Sequence, residues 1–159
     1  MFPPWFKRWL YKGGRPNGLA RLMNAGWAAI HSLGIAPDYL VTLVVRGSRS
    51  GRQISFPLAM MPMDGERYLV SMLGKNAAWV HNVHAADGYA VLRHGRTERV
   101  RLLPVPVGER PPILKRYLQR APGARPHIPV DKDAPLEAFA AVAADFPVFR
   151  VTSGDDAHP

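Results

Sequence analysis

The chain has 159 residues, enough for one domain with a sizeable core, and it contains no cysteine, which excludes disulfide frameworks, thiolate metal sites and cysteine nucleophiles. Its net charge of +9 is concentrated in residues 1–52, which carry eight lysines and arginines against one acid, Asp38. Such a basic segment indicates an anionic partner, and nucleic acid, acidic lipid headgroups and a phosphorylated cofactor all qualify.

Residues 1–16 mix aromatic residues with cations and prolines, which predicts a basic aromatic arm ahead of the folded domain. No apolar run reaches the roughly 18 residues that a membrane span needs, and the arm lacks the apolar core of a signal peptide. We therefore expect a cytoplasmic protein. Cations beside Trp and Phe also suit a membrane surface, so a peripheral membrane contact through residues 1–16 is left open. The alternative is an arm folded onto its own domain.

The rest of the chain has the pattern of short strands with helices at the start, the middle and the end. Runs of β-branched and alternating apolar residues predict the strands, and apolar residues at helical spacing predict the helices. Asp64 with Gly65 predicts a tight hairpin turn. The predicted strands span 39–47, 53–62, 66–73, 88–94, 97–107 and 147–152, and the predicted helices span 17–34, 76–87, 108–122 and 136–146.

This order does not alternate strand and helix as a doubly wound fold would. It predicts a mainly β (α+β) fold, a small barrel of about six antiparallel strands with flanking helices. We expect one domain over residues 17–152, preceded by the arm and followed by a tail of residues 153–159.

Charged residues on the predicted hairpin over 88–107 are expected to face solvent. These are Arg93, Glu98, Arg99 and Arg101, because apolar residues such as Val100 alternate with them.

Motifs of several enzyme classes are missing, since the chain has no G-x-S-x-G, no Walker A sequence and no H-E-x-x-H. His81 and His84 would share a helix face, but the spacing supplies no third ligand, so we predict no metal site. Carboxylates are sparse in the middle of the chain, and none forms a pair suited to general acid and base catalysis. The chain is therefore either a binding module or an enzyme whose chemistry comes from a cofactor.

A basic, glycine-bearing turn, "RGSRSGR" over residues 46–52, follows the first strand. Glycines allow backbone N–H groups to converge on an anion, and arginine and serine add further donors. A second turn, "GKNAAW" over residues 74–79, joins the third strand to a helix, and such turns present unbonded N–H groups. The two turns indicate an anion-binding site, and a solvated loop is the alternative for the first.

Together with the closing "FPVFRVT", these segments resemble the deazaflavin-dependent nitroreductase (quinone reductase) family, split β-barrel proteins that use coenzyme F420. The resemblance covers roughly residues 17–152. It rests on the Arg-Ser-Gly-Arg sequence of residues 49–52, which corresponds to the family's R-x-S-G turn, a Gly-x-x-x-x-Trp-x-x-Asn segment after the third strand, and the Pro-Val-Phe-Arg end. It implies a split β-barrel oxidoreductase that transfers a hydride from the reduced deazaflavin to a quinone, an enone or a nitro compound.

The resemblance also implies which residues hold the coenzyme. In the family the R-x-S-G turn binds the phosphate and acidic tail, and the turn before the short helix lies against the deazaflavin ring. The cofactor-binding residues implied here are Arg46, Arg49, Ser50, Gly51, Arg52, Ser71, Met72, Leu73, Gly74, Lys75, Asn76, Trp79 and Asn82. The candidate catalytic groups are Ser71, Lys75 and His127, with His81 and His84 as further polar donors.

Two alternatives to a deazaflavin enzyme stay open. A phosphate-binding turn does not identify the ring attached to the phosphate, so a flavin mononucleotide-binding split-barrel reductase is one of them. A non-catalytic cofactor-binding or anion-binding protein is the other. The expected partner is a small-molecule electron acceptor. A phosphorylated coenzyme accounts for the positive charge without nucleic acid, and a homodimer is left open.

Overall fold

The computed structural model describes residues 40–121 and 124–154, and no helix among them is long and apolar enough to cross a membrane. The described strands are β1 (Leu40–Arg46), β2 (Gln53–Met63), β3 (Glu66–Val70), β4 (Tyr89–Arg93), β5 (Thr97–Pro104) and β6 (Val148–Ser153). The described α-helices are α1 (Ala78–Ala85), α2 (Arg110–Arg120) and α3 (Leu136–Val142), with 3-10 turns over Val107–Glu109 and Ala143–Asp145. The predicted arm of residues 1–16 and the predicted helix over 17–34 lie outside the described residues, so membrane contact through the arm stays a prediction.

The strands close into a barrel in the order β1-β2-β3-β6-β5-β4, and every neighbouring pair is antiparallel. The hairpin of β1 and β2 ends with Arg46 opposite Gln53. Asp64 and Gly65 both have positive φ and form the tight turn between β2 and β3 that the sequence predicts. The predicted mainly β (α+β) fold, a barrel of six antiparallel strands with flanking helices, is confirmed.

One apolar cluster fills the barrel, because residues two apart on a strand share a face and every strand turns apolar residues inward. Helix α1 adds three buried residues to this cluster and so closes one end of the barrel. The buried members are Val41, Leu43, Val45, Met60, Leu69, Trp79, Val80, Val83, Leu92, Val100, Leu102, Phe149 and Val151.

A second apolar cluster lies outside the barrel, where α2 and α3 pack against the strands. Tyr117 of α2 and Phe139 of α3 are buried there with Val70 and Val148 from the sheet. Full burial of side chains of this size contributes roughly 1.5–3 kcal/mol each. Because these helices cover the side of the barrel, they leave the end that carries α1 to form a site.

The predicted and observed boundaries differ where an element meets a turn. β3 ends at Val70, earlier than the predicted 66–73, because the Ser71 hydroxyl donates a hydrogen bond to the Gly74 carbonyl oxygen and the chain turns there. α1 begins at Ala78, so the first residues of the predicted helix belong to the same turn. The turn between β3 and α1 is therefore longer than the sequence predicts.

The prediction that Glu98 faces solvent is wrong. On β5 it lies two residues before the inward-facing Val100, so it shares that inward face. Its carboxylate accepts hydrogen bonds from Arg67 of β3 at 2.8 and 2.7 Å, and its side chain is 23% exposed. Of the three arginines predicted on the solvent side, Arg99 is exposed and the other two are half-buried.

Candidate functional site

The two donor-rich turns lie at the same end of the barrel. Because β1 and β2 are antiparallel, the turn between them, residues 47–52, lies where β2 begins. β3 is antiparallel to β2 and ends at Val70, just past the Leu69–Met60 pair in the middle of β2. Residues 71–77 continue from there, and Asn76 meets the turn between β1 and β2 in the wall of one cleft. We call residues 47–52 the basic turn and residues 71–77 the second turn. Helix α1 starts directly after the second turn.

A cleft of about 520 Å³ lies between the basic turn, the second turn and α1. This volume is within the range of small-molecule sites, about 300–1,000 Å³. The cleft therefore brings together four of the cofactor residues implied by the sequence, Arg49, Ser50, Asn76 and Asn82. The full set of lining residues is Gly47, Ser48, Arg49, Ser50, Ile54, Asn76, Ala78, His81 and Asn82.

Three hydrogen bonds close the basic turn on itself. The Gly47 N–H donates to the Arg52 carbonyl oxygen at 2.7 Å, and the Gly51 N–H donates to the Gly47 carbonyl oxygen at 3.0 Å. The Arg52 N–H donates to Ser50 Oγ at 3.2 Å. Both glycines suit this path, since a Cβ on Gly47 would lie 2.7 Å from Ile54 Cδ1 and Gly51 has a φ of +70°.

Two adjacent N–H groups of the basic turn lack a partner within the part of the chain that the structure describes. The Ser48 N–H donates to Oδ1 of Asn82 on α1 at 3.0 Å. The N–H groups of Arg49 and Ser50 have no hydrogen-bond partner among the described residues. Because both residues line the cleft, their N–H groups, the Ser50 hydroxyl and the Arg49 guanidinium form a donor set suited to an anion.

The arginines at this end of the barrel have no carboxylate partner in the described part of the chain. Arg46, Arg49 and Arg52 are all exposed, and none forms an ion pair with a described acidic residue. Arg49 lies in the cleft wall, whereas Arg46 and Arg52 flank it at the ends of the two strands. Their unbalanced positive charge attracts anions to the cleft.

The second turn contributes Asn76 to the cleft wall and is held by its own hydrogen bonds. Ser71 is 1% exposed and donates its hydroxyl to the Gly74 carbonyl oxygen at 2.6 Å. Met72 packs against the outer apolar cluster, whereas Leu73 is 68% exposed. These four residues do not line the cleft, so the contacts with a coenzyme ring that the sequence implies for them stay predictions.

Helix α1 places its polar residues toward the cleft and its aromatic residue in the core. Trp79 is 6% exposed and packs against Phe149, with ring centroids 5.5 Å apart, so it supports the site from inside the barrel. Ala78, His81 and Asn82 line the cleft together, because residues three and four apart share a helix face. That spacing is the signal that could have added His81 to the cofactor residues.

The three candidate catalytic residues lie outside the cleft wall, which is defined here over the described residues. The Ser71 hydroxyl is already engaged in the second turn. Lys75 is exposed, with its Nζ 3.8 Å from Oδ1 of Asp145. His127 is exposed in the loop after α2, where its N–H donates to the Ala124 carbonyl oxygen. Their catalytic roles stay predictions, and the described residues form no group of three or more metal-ligating side chains.

Besides His81, the cofactor residues implied by the sequence omit four residues of the cleft wall, Gly47, Ser48, Ile54 and Ala78. Gly47 and Ser48 belong to the basic turn but precede its Arg-Ser-Gly-Arg core of residues 49–52, and Ile54 lies in β2 just beyond the turn. The side of the turn that faces the cleft depends on how the turn folds over β2, which no local sequence pattern records.

Comparisons with protein-family models and with curated proteins give no match for this chain. Solved structures do match. The protein Atu2129 from Agrobacterium tumefaciens, of unknown function, is 17% identical over 82% of this chain and 55% of its own, with a TM-score of 0.51. The present chain thus spans about half the length of Atu2129. A protein described as a domain-swapped dimer is 18% identical over 82% of this chain and 91% of its own, with a TM-score of 0.52.

A third solved structure is described as an F420-H2 dependent reductase. It is 19% identical over 74% of this chain and 96% of its own, with a TM-score of 0.49. At identities this low, structural likeness establishes a shared fold and leaves activity open. The likeness to Atu2129 and to the domain-swapped dimer therefore shows a shared barrel fold, and membership of the deazaflavin-dependent family remains a prediction.

Proposed function

We propose that the chain is a coenzyme F420-dependent oxidoreductase, which transfers a hydride from the reduced deazaflavin to a quinone, an enone or a nitro compound. One observation carries the proposal. The unbonded N–H groups of Arg49 and Ser50, with the Arg49 guanidinium, adjoin a cleft that is large enough for a small molecule. The resemblance of the sequence to the deazaflavin family supplies the identity of the coenzyme.

The donor set fits a phosphate group. A phosphate presents several acceptor oxygens, and adjacent backbone N–H groups with an arginine are a common way to bind it. Ser50 Oγ accepts from the Arg52 N–H, so its own hydrogen is free to be donated to the ligand. A side chain on Gly47 would come within 2.9 Å of Ser50 Oγ and crowd this set. The turn therefore keeps its donors accessible.

The other wall of the cleft fits a flat ring with polar edges. Ile54 and Ala78 offer apolar contact, and Asn76, His81 and Asn82 offer hydrogen bonds. Sites with apolar walls and a few fixed polar groups are typical of small-molecule and cofactor binding. The bound coenzyme supplies the hydride, and the chain binds its phosphate, orients its ring and limits the access of water.

We also propose that the chain assembles as a homodimer. A structure that shares this fold is described as a domain-swapped dimer. Light scattering on the purified chain measures the state directly. A mass of one chain at micromolar concentrations would remove the dimer from the proposal without affecting the coenzyme site.

The proposal is tested by titrating the full chain with coenzyme F420 and, in parallel, with flavin mononucleotide. We expect saturable binding of coenzyme F420 and much weaker binding of flavin mononucleotide, followed by oxidation of the reduced coenzyme when menadione, cyclohexenone or a nitroaromatic is added. Tight binding of flavin mononucleotide alone would replace the proposal with a flavin-dependent reductase. Binding of coenzyme F420 without turnover of any acceptor would reduce the proposal to a coenzyme-binding protein.

A further inference from the structure

Asn82 lies between the two parts of the candidate site. It is 7% exposed, on the face of α1 that lines the cleft. Its Oδ1 accepts the Ser48 N–H at 3.0 Å, a contact between residues 34 positions apart in the chain. Since the other end of this bond is a donor, the acceptor atom of the amide group is fixed as oxygen and the nitrogen must point elsewhere.

The Ser48–Asn82 hydrogen bond joins the basic turn to another element of the fold, which the bonds within the turn do not do. The hydrogen bonds of Gly47, Gly51 and Arg52 give the turn its internal shape, but all of their partners belong to the turn itself. The Ser48–Asn82 bond instead fixes the turn relative to α1. Because Ser48 directly precedes Arg49, this bond sets the direction of the unbonded N–H groups that follow.

The nitrogen of the Asn82 side chain is a spare donor at the same place. It has no hydrogen-bond partner among the described residues, and it is not among their fully enclosed, unpaired polar atoms. Because Asn82 lines the cleft and this nitrogen is not enclosed, it can donate a hydrogen bond to a group that occupies the cleft.

We infer that Asn82 is a positioning residue that also contacts the anion. Its Oδ1 holds the basic turn so that the Arg49 and Ser50 N–H groups converge, and its Nδ2 donates to the anion they bind. The inference deepens the proposed function and rests on it for the identity of the coenzyme. Inorganic phosphate serves as the probe for the anion.

Two variants separate the two roles. Asn82→Leu keeps the approximate size of the side chain and removes both the acceptor and the donor. Asn82→Asp keeps the acceptor for Ser48, removes the donor and adds a negative charge that repels phosphate. Gln119→Leu makes the same amide-to-leucine change on the surface of α2, away from the cleft, and is the matched control.

Nuclear magnetic resonance on the labelled full chain reads both roles. The exchange of the Ser48 N–H with water reports whether the turn is held, and the shifts of the Arg49 and Ser50 amides report phosphate binding. In Asn82→Leu we expect faster exchange at Ser48 and a loss of about tenfold in phosphate affinity, the effect of one hydrogen bond to a charged group. In Asn82→Asp we expect slow exchange to persist while the affinity still falls. The control should resemble the unmodified chain in both measurements.

Each of the two roles has its own contradicting result. Unchanged exchange at Ser48 in Asn82→Leu would overturn the holding role, and unchanged phosphate affinity in Asn82→Asp would overturn the donor role. If Asn82→Leu does not fold, Asn82→Ala replaces it. An unmodified chain that does not bind phosphate would overturn the anion role as a whole. Phosphate binding without coenzyme F420 binding would leave this inference standing and contradict the proposed function instead.

Discussion

Arginines lie at both ends of the barrel, but they differ in what they contact. At the cleft end, Arg46, Arg49 and Arg52 are exposed and form no ion pair within the described residues. At the opposite end, where β3 and β5 begin, Arg67 donates two hydrogen bonds to Glu98. Within residues 40–121 and 124–154, one end therefore carries positive charge without an acidic partner, and the other carries charge that an ion pair neutralises.

This difference in contacts distinguishes the arginines that stabilise the fold from those that can bind a ligand. The Arg67–Glu98 pair is half-buried, and His94 and Arg96 approach the same carboxylate at 3.6 and 4.0 Å. Removing either member of the pair would leave the other partly buried and unpaired, which destabilises a protein. Arg49 forms no such bond to an acidic residue that the structure describes. Its replacement should weaken ligand binding and leave the fold intact.

The largest expected effect is on coenzyme affinity in Arg49→Ala. The guanidinium lies in the cleft wall beside two unbonded N–H groups, so its loss should weaken binding of coenzyme F420 by about 1.5–3 kcal/mol. Arg52→Ala should weaken it less, because Arg52 flanks the cleft. Calorimetric titration measures both, with Arg99→Ala as an exposed arginine on β5 for the control. Equal dissociation constants for Arg49→Ala and the control would contradict the assignment.

The second largest effect is expected on the free energy of unfolding, from a change in the Arg67–Glu98 pair. Glu98→Gln removes the charge that Arg67 pairs with, and we expect a loss of about 1–2 kcal/mol in the free energy of unfolding, between the values for exposed and buried pairs. Coenzyme affinity should not change. Glu66→Gln is the control, since its ion pair with Arg150 is longer, at 3.8 Å, and more exposed. Urea unfolding measures both variants, and an equal loss in the two would remove the special role of the Arg67–Glu98 pair.

The same pair predicts a dependence of stability on pH. Hydrogen bonds from Arg67 lower the pKa of Glu98 to about 2, whereas an unfolded glutamate has a pKa of about 4.3. A carboxylate with a depressed pKa stabilises the folded state fully above the unfolded pKa, and this contribution is lost as the pH falls toward 2. The stability difference between the unmodified chain and Glu98→Gln should therefore be constant from pH 7 to about 5 and shrink below that. A difference that persists undiminished at pH 2 would contradict the assignment.

The smallest expected effect concerns the second turn. Ser71→Ala removes the hydrogen bond to the Gly74 carbonyl oxygen, which should cost about 1 kcal/mol of stability and raise the dissociation constant of coenzyme F420 severalfold. Thr152→Val removes a similar bond, from a hydroxyl to the Arg101 carbonyl oxygen, on β6 away from the cleft. It should cost a similar stability without changing affinity. If both variants bind the coenzyme normally, the second turn does not shape the site.

The barrel could be predicted from the sequence because alternation of apolar residues is a local signal. Glu98 was assigned to solvent with the other charged residues, although the period of two places it on the inward face with Val100. Its partner Arg67, which makes an inward carboxylate stable, lies in another strand and leaves no local signal. A charged residue at the end of a strand does not show by itself which face it joins.

The site could be predicted in its parts but not in its geometry. Glycine and arginine in the basic turn indicated an anion site, and Asn82 was identified by its motif. The motif also included Trp79, which the structure places in the core. Which N–H groups stay unbonded depends on a contact between Ser48 and Asn82, and no local pattern links residues so far apart in the chain.

We propose that the cleft end, whose arginines have no acidic partner among the described residues, binds the phosphate of the coenzyme, whereas the end with the Arg67–Glu98 pair does not. The most direct measurement is an amide shift map of the labelled full chain during titration with coenzyme F420. We expect the largest amide shifts at Arg49 and Ser50 and none at Arg67 or Glu98. Saturable binding with unshifted Arg49 and Ser50 amides, or with shifts centred on Arg67 and Glu98, would contradict it.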